Sequence, residues 1–414
     1  MTIVVGAGLA GLTCAKVLAQ AGKPFCLLEA ASRPGGRVVS DRTQEGFILD
    51  RGFQVLLDSY PAARRHLDFQ ALGGGRFRAG AMFVGRGKPR TLENPLHRPS
   101  AALDALGSGV LPLPDQLRMM LLAVMAMTGS SRVSDLSTEA LLRRCGFGED
   151  FFVRFARPFF GGVLLDPALQ TSAGLFLKYL QRFVTGRALL PARGMGGLAE
   201  QLVSRLPRES VHFETRVEAL VFREERVSGV RLVDGREING DEVVLAVDEP
   251  SACRLLGRGS PRPARGTVVH YFAADRALYS GAWLCLPPRS EASPVLHAAI
   301  VTNVEPALAP AGSHLWSVTV LPEHPKAADA EFVAREVTSW FQPEVGVLRP
   351  LSYVQVPYAV PEQWPGFERR PAPWGTLPDG LLVAGDAACG ASIDAVMASG
   401  EAAAKKVILS GRLN

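Results

Sequence analysis

The chain begins with a strand, a helix and a second strand that the spacing of apolar residues predicts by itself. The run TIVV at 2–5 is typical of a short buried parallel strand, and LAGLTCAKVLAQA at 9–21 has the periodicity of a helix. KPFCLLE at 23–29 supplies the second strand. Strands that alternate with helices in this way predict an α/β fold with a parallel sheet.

The C-terminal end of the chain shows a related pattern. The sequence GLLVAGDAACGASIDAVMASGEAAAKKVI at 380–408 predicts a buried strand, a Gly-Asp pair at its end, a loop of small residues and a closing helix. We expect that helix to begin near Ile393, with Ser392 as its N-cap. Asp386 would then lie at the carboxyl end of a parallel strand, where open α/β sheets bind their ligands.

The middle of the chain contributes a third piece of the same kind. Residues 189–206 contain a Gly-rich turn before a helix. Residues 211–247 alternate between apolar and polar positions, and Asp234-Gly235 within them is a strong hairpin signal. A small antiparallel sheet and a returning strand are therefore expected.

The two remaining segments have different patterns from each other. Residues 76–188 are mostly helical in pattern. GTVVHYFAA at 266–274 and HLWSVTVL at 314–321 predict strands, and a helix is expected at 330–341.

Composition limits the class of protein. With 414 residues, 47% of them hydrophobic, and a net charge of +5, the chain is expected to form a globular protein of two domains. Its basic residues are spread along the sequence, so nucleic acid is not expected as a partner. The six cysteines stand singly, which predicts free thiols in a reducing compartment and no metal site.

A cytoplasmic location is expected, because no signal peptide precedes the strand that starts at Thr2. The longest apolar run, MMLLAVMAM at 119–127, covers only half of the roughly 18–20 residues that a membrane span requires. Residues 101–127 are expected to form core or, as the alternative, an apolar surface that contacts a membrane and admits a lipid-soluble substrate.

The glycines after the first strand follow the pattern of a dinucleotide-binding loop. Gly6 allows a tight turn, Gly8 lets backbone approach a pyrophosphate, and Gly11 permits close packing of helix on strand. Ala10, in the same helix start, is counted with them as a cofactor-binding residue. Glu29 ends the second strand, where its carboxylate would accept hydrogen bonds from ribose hydroxyls and disfavour a 2′-phosphate.

The sequence RPGGRVVSD at 33–41 is either an ordinary turn or a cofactor contact, with Gly36 offering flat backbone and Arg37 donating to phosphate oxygens. With the GxGxxG loop and the acid that ends the second strand, this GGR motif resembles the signature of the flavin-containing amine oxidase superfamily. That superfamily also includes phytoene desaturases, squalene-associated desaturases and protoporphyrinogen oxidases. The segment around Gly385 and Asp386 resembles the second FAD motif of the family.

The resemblance implies FAD as the cofactor and assigns roles to several residues. Asp386 would hold the ribityl hydroxyls, and the helix from Ile393 would direct its positive end at the flavin ring. The backbone of Val217, in the sequence TRV, would contact adenine.

The resemblance also implies the architecture: an FAD-binding, Rossmann-like domain of the glutathione-reductase type, with a discontinuous α+β substrate domain, as in amine oxidases. Residues 1–75, 189–250 and 373–414 would form the FAD-binding domain. Residues 76–188 and 251–372 would form the substrate-binding domain.

Three residues are predicted to line a substrate pocket. Gln54 belongs to DRGFQ at 50–54, which departs from the usual amine oxidase version and resembles the desaturase and protoporphyrinogen-oxidase-like branches. Phe155 is one of five phenylalanines between 151 and 160, which form a buried helix face or line a cavity for a large apolar substrate. Trp374 is the third.

The flavin is expected to carry the chemistry, because GxSxG and HExxH motifs are absent from the sequence. Many amine oxidases of the superfamily place a lysine in the substrate-domain sheet. None of the seven lysines here lies between Lys178 and Lys326, which disfavours amine oxidation.

Three functions are therefore considered. The favoured one is an FAD-dependent desaturase or oxidase that removes hydride from a carbon of an apolar, isoprenoid- or tetrapyrrole-like small molecule. The alternatives are an amine or amino-acid oxidase and a non-catalytic binding or escort protein on the same scaffold. Since no second GxGxxG follows a strand, oxygen or a quinone is the expected electron acceptor.

Overall fold

The computed structural model describes residues 1–85, 88–129, 133, 135–288, 293–341, 348–367 and 372–410, with 105–108 described by backbone alone. The strands are β1 (Thr2–Val5), β2 (Phe25–Leu28), β3 (Ser40–Arg42), β4 (Ile48–Asp50), β5 (Leu56–Leu57), β6 (Gly75–Arg76), β7 (Gly80–Phe83), β8 (Arg90–Glu93), β9 (Ala188–Leu190), β10 (Val211–His212), β11 (Val217–Arg223), β12 (Arg226–Leu232), β13 (Glu237–Asn239), β14 (Glu242–Leu245), β15 (Ala264–Ala274), β16 (Leu284–Leu286), β17 (Val295–Ile300), β18 (His314–Val320), β19 (Arg349–Pro361) and β20 (Leu381–Val383).

The α-helices are α1 (Leu9–Gln20), α2 (Pro61–His66), α3 (Phe69–Leu72), α4 (Ala101–Ser108), α5 (Leu113–Thr128), α6 (Thr138–Arg144), α7 (Glu149–Phe151), α8 (Gly161–Leu164), α9 (Ala173–Thr185), α10 (Gly197–Val203), α11 (Glu249–Leu256), α12 (Ala330–Ser339) and α13 (Ile393–Ser410). Residues Phe152–Phe160 form a π-helix, and short 3₁₀ turns cover Arg208–Ser210, Val301–Asn303 and Pro306–Leu308.

A five-stranded parallel sheet unites distant parts of the chain, in the order β10-β2-β1-β14-β20. The predicted first strand and helix are found with nearly the expected bounds. The sheet has apolar cores on both faces, and on one of them α1 packs against both α10 and α13. The first and last helices of the chain are therefore neighbours.

A seven-stranded sheet, in the order β19-β15-β18-β17-β16-β7-β8, forms the second layer. Its neighbouring strands are antiparallel except for β16 and β7. One face packs on a core that contains the π-helix, and the opposite face packs on a core that contains residues of α12. The predicted strands at 266–274 and 314–321 and the helix at 330–341 are found within one to two residues of their expected ends.

The smaller sheets complete the fold. Strands β11, β12 and β13 form an antiparallel meander, and the predicted turn at Asp234-Gly235 joins the last two, with Gly235 at φ +87°. The others pair β3 with β4, and β9 with both β5 and β6. None of the helices described is long and apolar enough to cross a membrane.

The phenylalanine-rich segment adopts π-helical rather than α-helical turns. Pro158 lies inside it, and proline lacks an N–H while its ring crowds the carbonyl four residues earlier. A wider turn relieves both problems, which explains why the helix that the pattern predicted has a different pitch. Phe151, Phe152, Phe155 and Phe160 are all buried.

The contact between α1 and α13 leaves no room for a side chain. A Cβ placed on Gly400 would lie 2.1 Å from the carbonyl oxygen of Ala10. Overpacking of this kind costs about 1–3 kcal/mol. Gly400→Ala should therefore lower the free energy of unfolding by about that amount in urea denaturation.

Gly197→Ala is the matched control, because Gly197 is also helical but the nearest atom to its added Cβ lies 3.8 Å away. It should be neutral or slightly stabilising, since alanine is the better helix former. Equal stability of the two variants would contradict the close packing of α1 on α13.

Candidate functional site

The carboxyl ends of four parallel strands meet at one edge of the five-stranded sheet. Val5 at the end of β1 is in register with Leu28 of β2 and Leu245 of β14, and Leu245 is in register with Val383 of β20. The predicted cofactor residues follow three of these strands. The fold therefore brings both ends of the chain to the edge where ligands of such sheets bind.

The glycines of the first loop have three different surroundings. Gly6 has φ +103°, and a Cβ on it would lie 2.6 Å from the carbonyl oxygen of Ala246. A Cβ on Gly11 would lie 1.9 Å from the carbonyl oxygen of Gly6, so this glycine packs helix on strand. A Cβ on Gly8 would meet nothing within 4 Å, which leaves open space beside the start of α1.

The N-terminus of α1 is uncapped by side chains and has no acidic residue in its first turn. Its free N–H groups and positive dipole end therefore suit an anion. Ala10 is buried, and its Cβ lies 3.8 Å from the position of a Cβ on Gly385. This places the C-terminal motif directly beside the helix start.

Glu29 is held by backbone amides at the end of β2. Its Oε2 accepts a hydrogen bond from the N–H of Ala7 at 2.7 Å, and its Oε1 accepts one from Ala31 at 2.8 Å. Each oxygen keeps a second lone pair for a hydroxyl group. The N–H of Thr215 donates to the Glu29 carbonyl at 2.8 Å, so the segment that leads to buried Val217 lies alongside.

Arg37 connects three separate parts of the chain. Its NH2 lies 2.6 Å from Oδ2 of Asp386, and its NH1 donates to the carbonyl of Ala359 on β19 at 2.9 Å. The Gln54 side-chain amide donates to the Arg37 carbonyl at 3.0 Å. Gly36 precedes it with φ +60°, and a Cβ there would lie 3.5 Å from the Cα of Gly8.

Asp386 is 2% exposed, and its Oδ2 makes the ion pair with Arg37 but no well-formed hydrogen bond. A buried carboxylate oxygen without a hydrogen bond is costly unless another group, such as a ligand hydroxyl, satisfies it. With the open space at Gly8 and the uncapped α1, the residues present fit a dinucleotide. Its phosphates would lie at the helix start and its sugar-like hydroxyls at Glu29 and Asp386.

Three residues near Asp386 were missed by the sequence reasoning. Glu249 is fully buried and pairs with Arg262, whose Nε donates to Oε2 at 2.8 Å and whose NH2 donates to the Asp386 carbonyl at 3.2 Å. The buried hydroxyl of Tyr358 has no hydrogen-bond partner. Its pKa is raised by burial and by the carboxylates of Glu249 and Asp386. The one available signal was that Glu249 comes soon after a buried strand.

The closing helix begins at Ile393, as predicted, and Ser392 caps it by accepting a hydrogen bond from the N–H of Ala395 at 3.1 Å. The loop before it is fixed from both sides. Gln363 Oε1 accepts from the N–H of Ala391 at 2.8 Å, and the Tyr179 hydroxyl donates to the Ala391 carbonyl at 3.1 Å.

The three predicted pocket residues have different surroundings. Gln54 lies beside Arg37, and Trp374 packs in a small apolar cluster with Ala387, next to Asp386. Phe155 is 6% exposed and stacks on Phe159, with ring centroids 5.1 Å apart. A cavity of about 230 Å³ near Arg265 is lined by none of the three. Their contact with substrate stays a prediction.

A buried polar network lies where the DRGFQ segment meets the seven-stranded sheet. Asp50 Oδ1 accepts hydrogen bonds from the Ser40 hydroxyl at 2.5 Å and the Met195 N–H at 2.9 Å, and the Tyr271 hydroxyl donates to the Asp50 carbonyl at 2.8 Å. Burial raises the pKa of Asp50 to about 6, although its two hydrogen bonds oppose this. The network ties the Gly-rich turn at 194–197 to β4.

His297 on β17 is buried against the start of α8. Its ring lies 4.8 Å from that of Phe53, and a Cβ on Gly162 would lie 2.4 Å from its Nδ1. Burial lowers the pKa of His297 to about 4, so the imidazole is neutral at neutral pH. Neither ring nitrogen makes a hydrogen bond with good geometry.

The raised pKa of Asp50 predicts a pH dependence of stability. Because the folded pKa of about 6 exceeds the ordinary 3.8, the folded state binds the proton more tightly than the unfolded state. The contribution of protonated Asp50 to the free energy of unfolding is fully present below about pH 4 and is lost as the pH rises through 6. Relative to Asp50→Asn, the wild type should lose up to about 3 kcal/mol of unfolding free energy between about pH 4 and 7 in denaturant titrations.

Asp41→Asn gives a control of opposite sign. Burial is the largest single influence and raises the pKa of Asp41, but the hydrogen bonds and charges of Arg51 and Arg33 together outweigh it and lower that pKa. The stabilisation from ionised Asp41 is therefore lost as the pH falls. The effect should be small because the side chain is 44% exposed. If the unfolding free energies of the wild type and Asp50→Asn changed with pH in parallel, Asp50 would not have the raised pKa.

Comparison with known proteins gives matches in both sequence and structure. A coproporphyrinogen III oxidase from Propionibacterium freudenreichii subsp. freudenreichii is 26% identical over an alignment 340 residues long, which covers 68% of this chain and 63% of that protein. An L-amino-acid oxidase from Naja atra is 42% identical over 66 residues, 16% of this chain and 13% of that protein. The chain thus matches less than two thirds of the length of either relative.

The structure of an oxidoreductase from Methanosarcina mazei superposes with a TM-score of 0.73 at 21% identity, over 98% of this chain and 99% of that one. At this identity the likeness shows the fold alone.

The family model for flavin containing amine oxidoreductases matches residues 9–408. The predicted fold class, Rossmann-like with a discontinuous α+β part, is confirmed by this match and by the structural neighbours. The predicted cofactor FAD is confirmed by the family match. The match runs from the start of α1 almost to the end of α13. The protein therefore belongs to the family of flavin containing amine oxidoreductases.

Proposed function

We propose that this oxidoreductase is an FAD-dependent desaturase or oxidase that removes hydride from a carbon of an apolar, tetrapyrrole- or isoprenoid-like molecule. The observation that carries the proposal is the 340-residue similarity to a coproporphyrinogen III oxidase. That match is longer than the three predicted FAD-binding segments together, so it extends into the segments predicted to bind substrate. The 66-residue match to an L-amino-acid oxidase is short enough to lie within one FAD segment.

The surroundings of the π-helix support an apolar substrate. Its rings belong to the core that also contains Tyr271 of the seven-stranded sheet and Leu190 of β9. Such surroundings exclude water from a reacting carbon. The rings in contact are Phe83, Phe147, Phe151, Phe152, Phe155, Phe159, Phe160, Phe176 and Phe183.

The roles of the cofactor residues are part of the proposal. When bound, FAD supplies the hydride acceptor. The α1 amides after Gly8, together with Ala10, Gly11 and the Gly36 backbone, would bind its phosphates. The remaining roles fall to Glu29 for the ribose, Val217 for adenine, Arg37 for a phosphate, Gly385 and Asp386 for the ribityl chain, and the α13 terminus at Ile393 for the flavin ring.

We also propose the predicted division into domains. Residues 1–75, 189–250 and 373–414 contribute every strand of the five-stranded sheet, which supports their assignment to FAD binding. Residues 76–188 and 251–372 contribute every strand of the seven-stranded sheet. Residues 411–414 lie outside the described part of the chain.

We propose oxygen or a quinone as the electron acceptor. We also propose that the protein is located in the cytoplasm and contacts a membrane surface. The absence of a second dinucleotide fingerprint from the sequence supports such an acceptor over a nicotinamide. The sheet strands β15, β17 and β18 carry no lysine, which supports oxidation of carbon without the lysine that many amine oxidases use.

Gly8→Ala should separate cofactor binding from folding. Its added Cβ meets no protein atom within 4 Å, so stability without FAD should change by no more than about 1 kcal/mol, the ordinary effect of alanine at an N-cap. The same Cβ would enter the proposed phosphate site, so the Kd for FAD, measured by fluorescence quenching, should rise at least tenfold.

Gly11→Ala is the contrast, because its Cβ would lie 1.9 Å from the Gly6 carbonyl oxygen and the protein itself should be destabilised. If Gly8→Ala bound FAD as tightly as the wild type, the phosphates would not lie at this glycine.

The substrate class is tested by adding candidates to the flavoprotein without oxygen and following the visible absorbance of oxidised flavin. Coproporphyrinogen III or phytoene should bleach it, whereas L-amino acids and putrescine should not. Bleaching by amines or amino acids alone would assign the protein to the alternative oxidases. Purified protein that takes up no FAD would instead indicate a binding or escort role.

A further inference from the structure

Helix α5 presents a row of large apolar side chains to solvent. Counting Leu96 before it and Leu103 on α4, eight of the fifteen large hydrophobic residues that are exposed in the described chain fall between 96 and 127. The α5 face consists of Leu113 (51% exposed), Leu117 (53%), Met120 (60%), Leu121 (69%), Val124 (57%) and Met127 (51%).

These six residues occupy one side of the helix. Successive members are three or four residues apart, except for the adjacent Met120 and Leu121, and at 3.6 residues per turn all six fall within about a third of the circumference. The opposite side is already used, since Leu122 and Ala126 are buried in the core that contains Phe155, and Met119 and Met125 pack against it. The α5 face is therefore a second apolar stripe that the fold itself leaves uncovered.

The chemistry of the α5 face favours a lipid surface over a protein partner. Its six side chains contain no hydrogen-bonding group and no aromatic ring. Protein interfaces typically form about one hydrogen bond per 100–200 Å² and concentrate their binding energy in Trp, Tyr and Arg. A face of Leu, Met and Val alone has the apolar side that interfacial helices insert among acyl chains.

The segment that contains the α5 face carries an excess of positive charge, which suits anionic lipid. Each of the three carboxylates between residues 88 and 129 forms an ion pair with an arginine: Glu93 and Asp104 with Arg98, and Asp115 with Arg118. The same segment contains four cationic residues. Two are Arg98 and Arg118, and the other two are the exposed Lys88 and Arg90. The Arg90 guanidinium lies beside Gly109, just before α5, so positive charge lies at the start of the face.

We infer that the α5 face docks on the surface of a lipid bilayer that contains anionic headgroups, with α5 lying in the interface. The helix has 16 residues, fewer than the ~20 that a span requires, so it lies on the membrane without crossing it. The purpose of such docking rests on the proposed function, because an apolar substrate or a quinone would then reach the aromatic core from the bilayer past α5.

The test is sedimentation of the flavin-loaded full chain with vesicles of phosphatidylcholine, with and without phosphatidylglycerol. The wild type should sediment with vesicles, more strongly when phosphatidylglycerol is present. The double variant Met120→Glu/Leu121→Glu should partition at least tenfold less, because two charges would enter the apolar layer. Arg90→Glu, which reverses the charge beside the start of α5, should reduce only the difference between the two lipid compositions.

Val233→Glu/Leu409→Glu is the matched control, with the same change in charge at two residues that are each 59% exposed elsewhere. It should bind vesicles as the wild type does. Equal FAD content and melting temperature of all variants would show that they are folded.

The inference is overturned if the wild type stays in the supernatant with both vesicles, or if Met120→Glu/Leu121→Glu binds as well as the wild type. It is also overturned if sedimentation equilibrium shows a dimer that this variant abolishes, since a second copy would then cover the face. Vesicle binding needs no substrate. The vesicle test and the test of substrate class can therefore fail independently of each other.

Discussion

The candidate site depends on how closely backbone approaches backbone at the carboxyl edge of the parallel sheet. A Cβ on Gly11 would lie 1.9 Å from the Gly6 carbonyl oxygen, and one on Gly400 would lie 2.1 Å from that of Ala10. These contacts fix α1 against β1 and α13 against α1. The start of α1 is the place for an anion, so its position is set by contacts that only glycine permits.

Charge is the second constraint on this edge. Glu249 and Asp386 are almost completely buried, and each is neutralised by one arginine, Arg262 and Arg37 respectively. The Arg262 side chain is 25% exposed and the Arg37 side chain is 36% exposed. A buried charge without a partner would be strongly destabilising, so both pairs are part of the fold as well as of the site.

The sequence was sufficient to predict the parallel sheet, the dinucleotide loop and the family, because each is encoded by residues close together in the chain. Gly6, Gly8 and Gly11 lie within one turn and one helix start, and Ser392 caps the helix that it precedes. Local periodicity and turn chemistry carry such features. The exposed stripe on α5 was visible only as an apolar run, and its orientation needed the structure.

The features that were missed are those in which the partners are far apart in sequence. Arg262, the partner of Glu249, meets Asp386 across more than 120 residues, and His297 meets Phe53 across more than 240. No local pattern marks a residue whose role is set by a distant neighbour. The π-helix was missed for a different reason: Pro158 was visible, but the pattern of apolar residues does not distinguish helical pitch over nine residues.

The strand order of the parallel sheet has a consequence for how the protein is made. β1 occupies the centre of the sheet, yet its neighbour β14 begins at Glu242 and the edge strand β20 at Leu381. During synthesis the first strand must wait for most of the chain to emerge from the ribosome before it is paired on both sides. Long-range parallel pairing of this kind is slow. Until Leu245 has been synthesised, the nascent chain therefore carries β1 with one apolar edge that lacks its native partner, and such an edge favours aggregation.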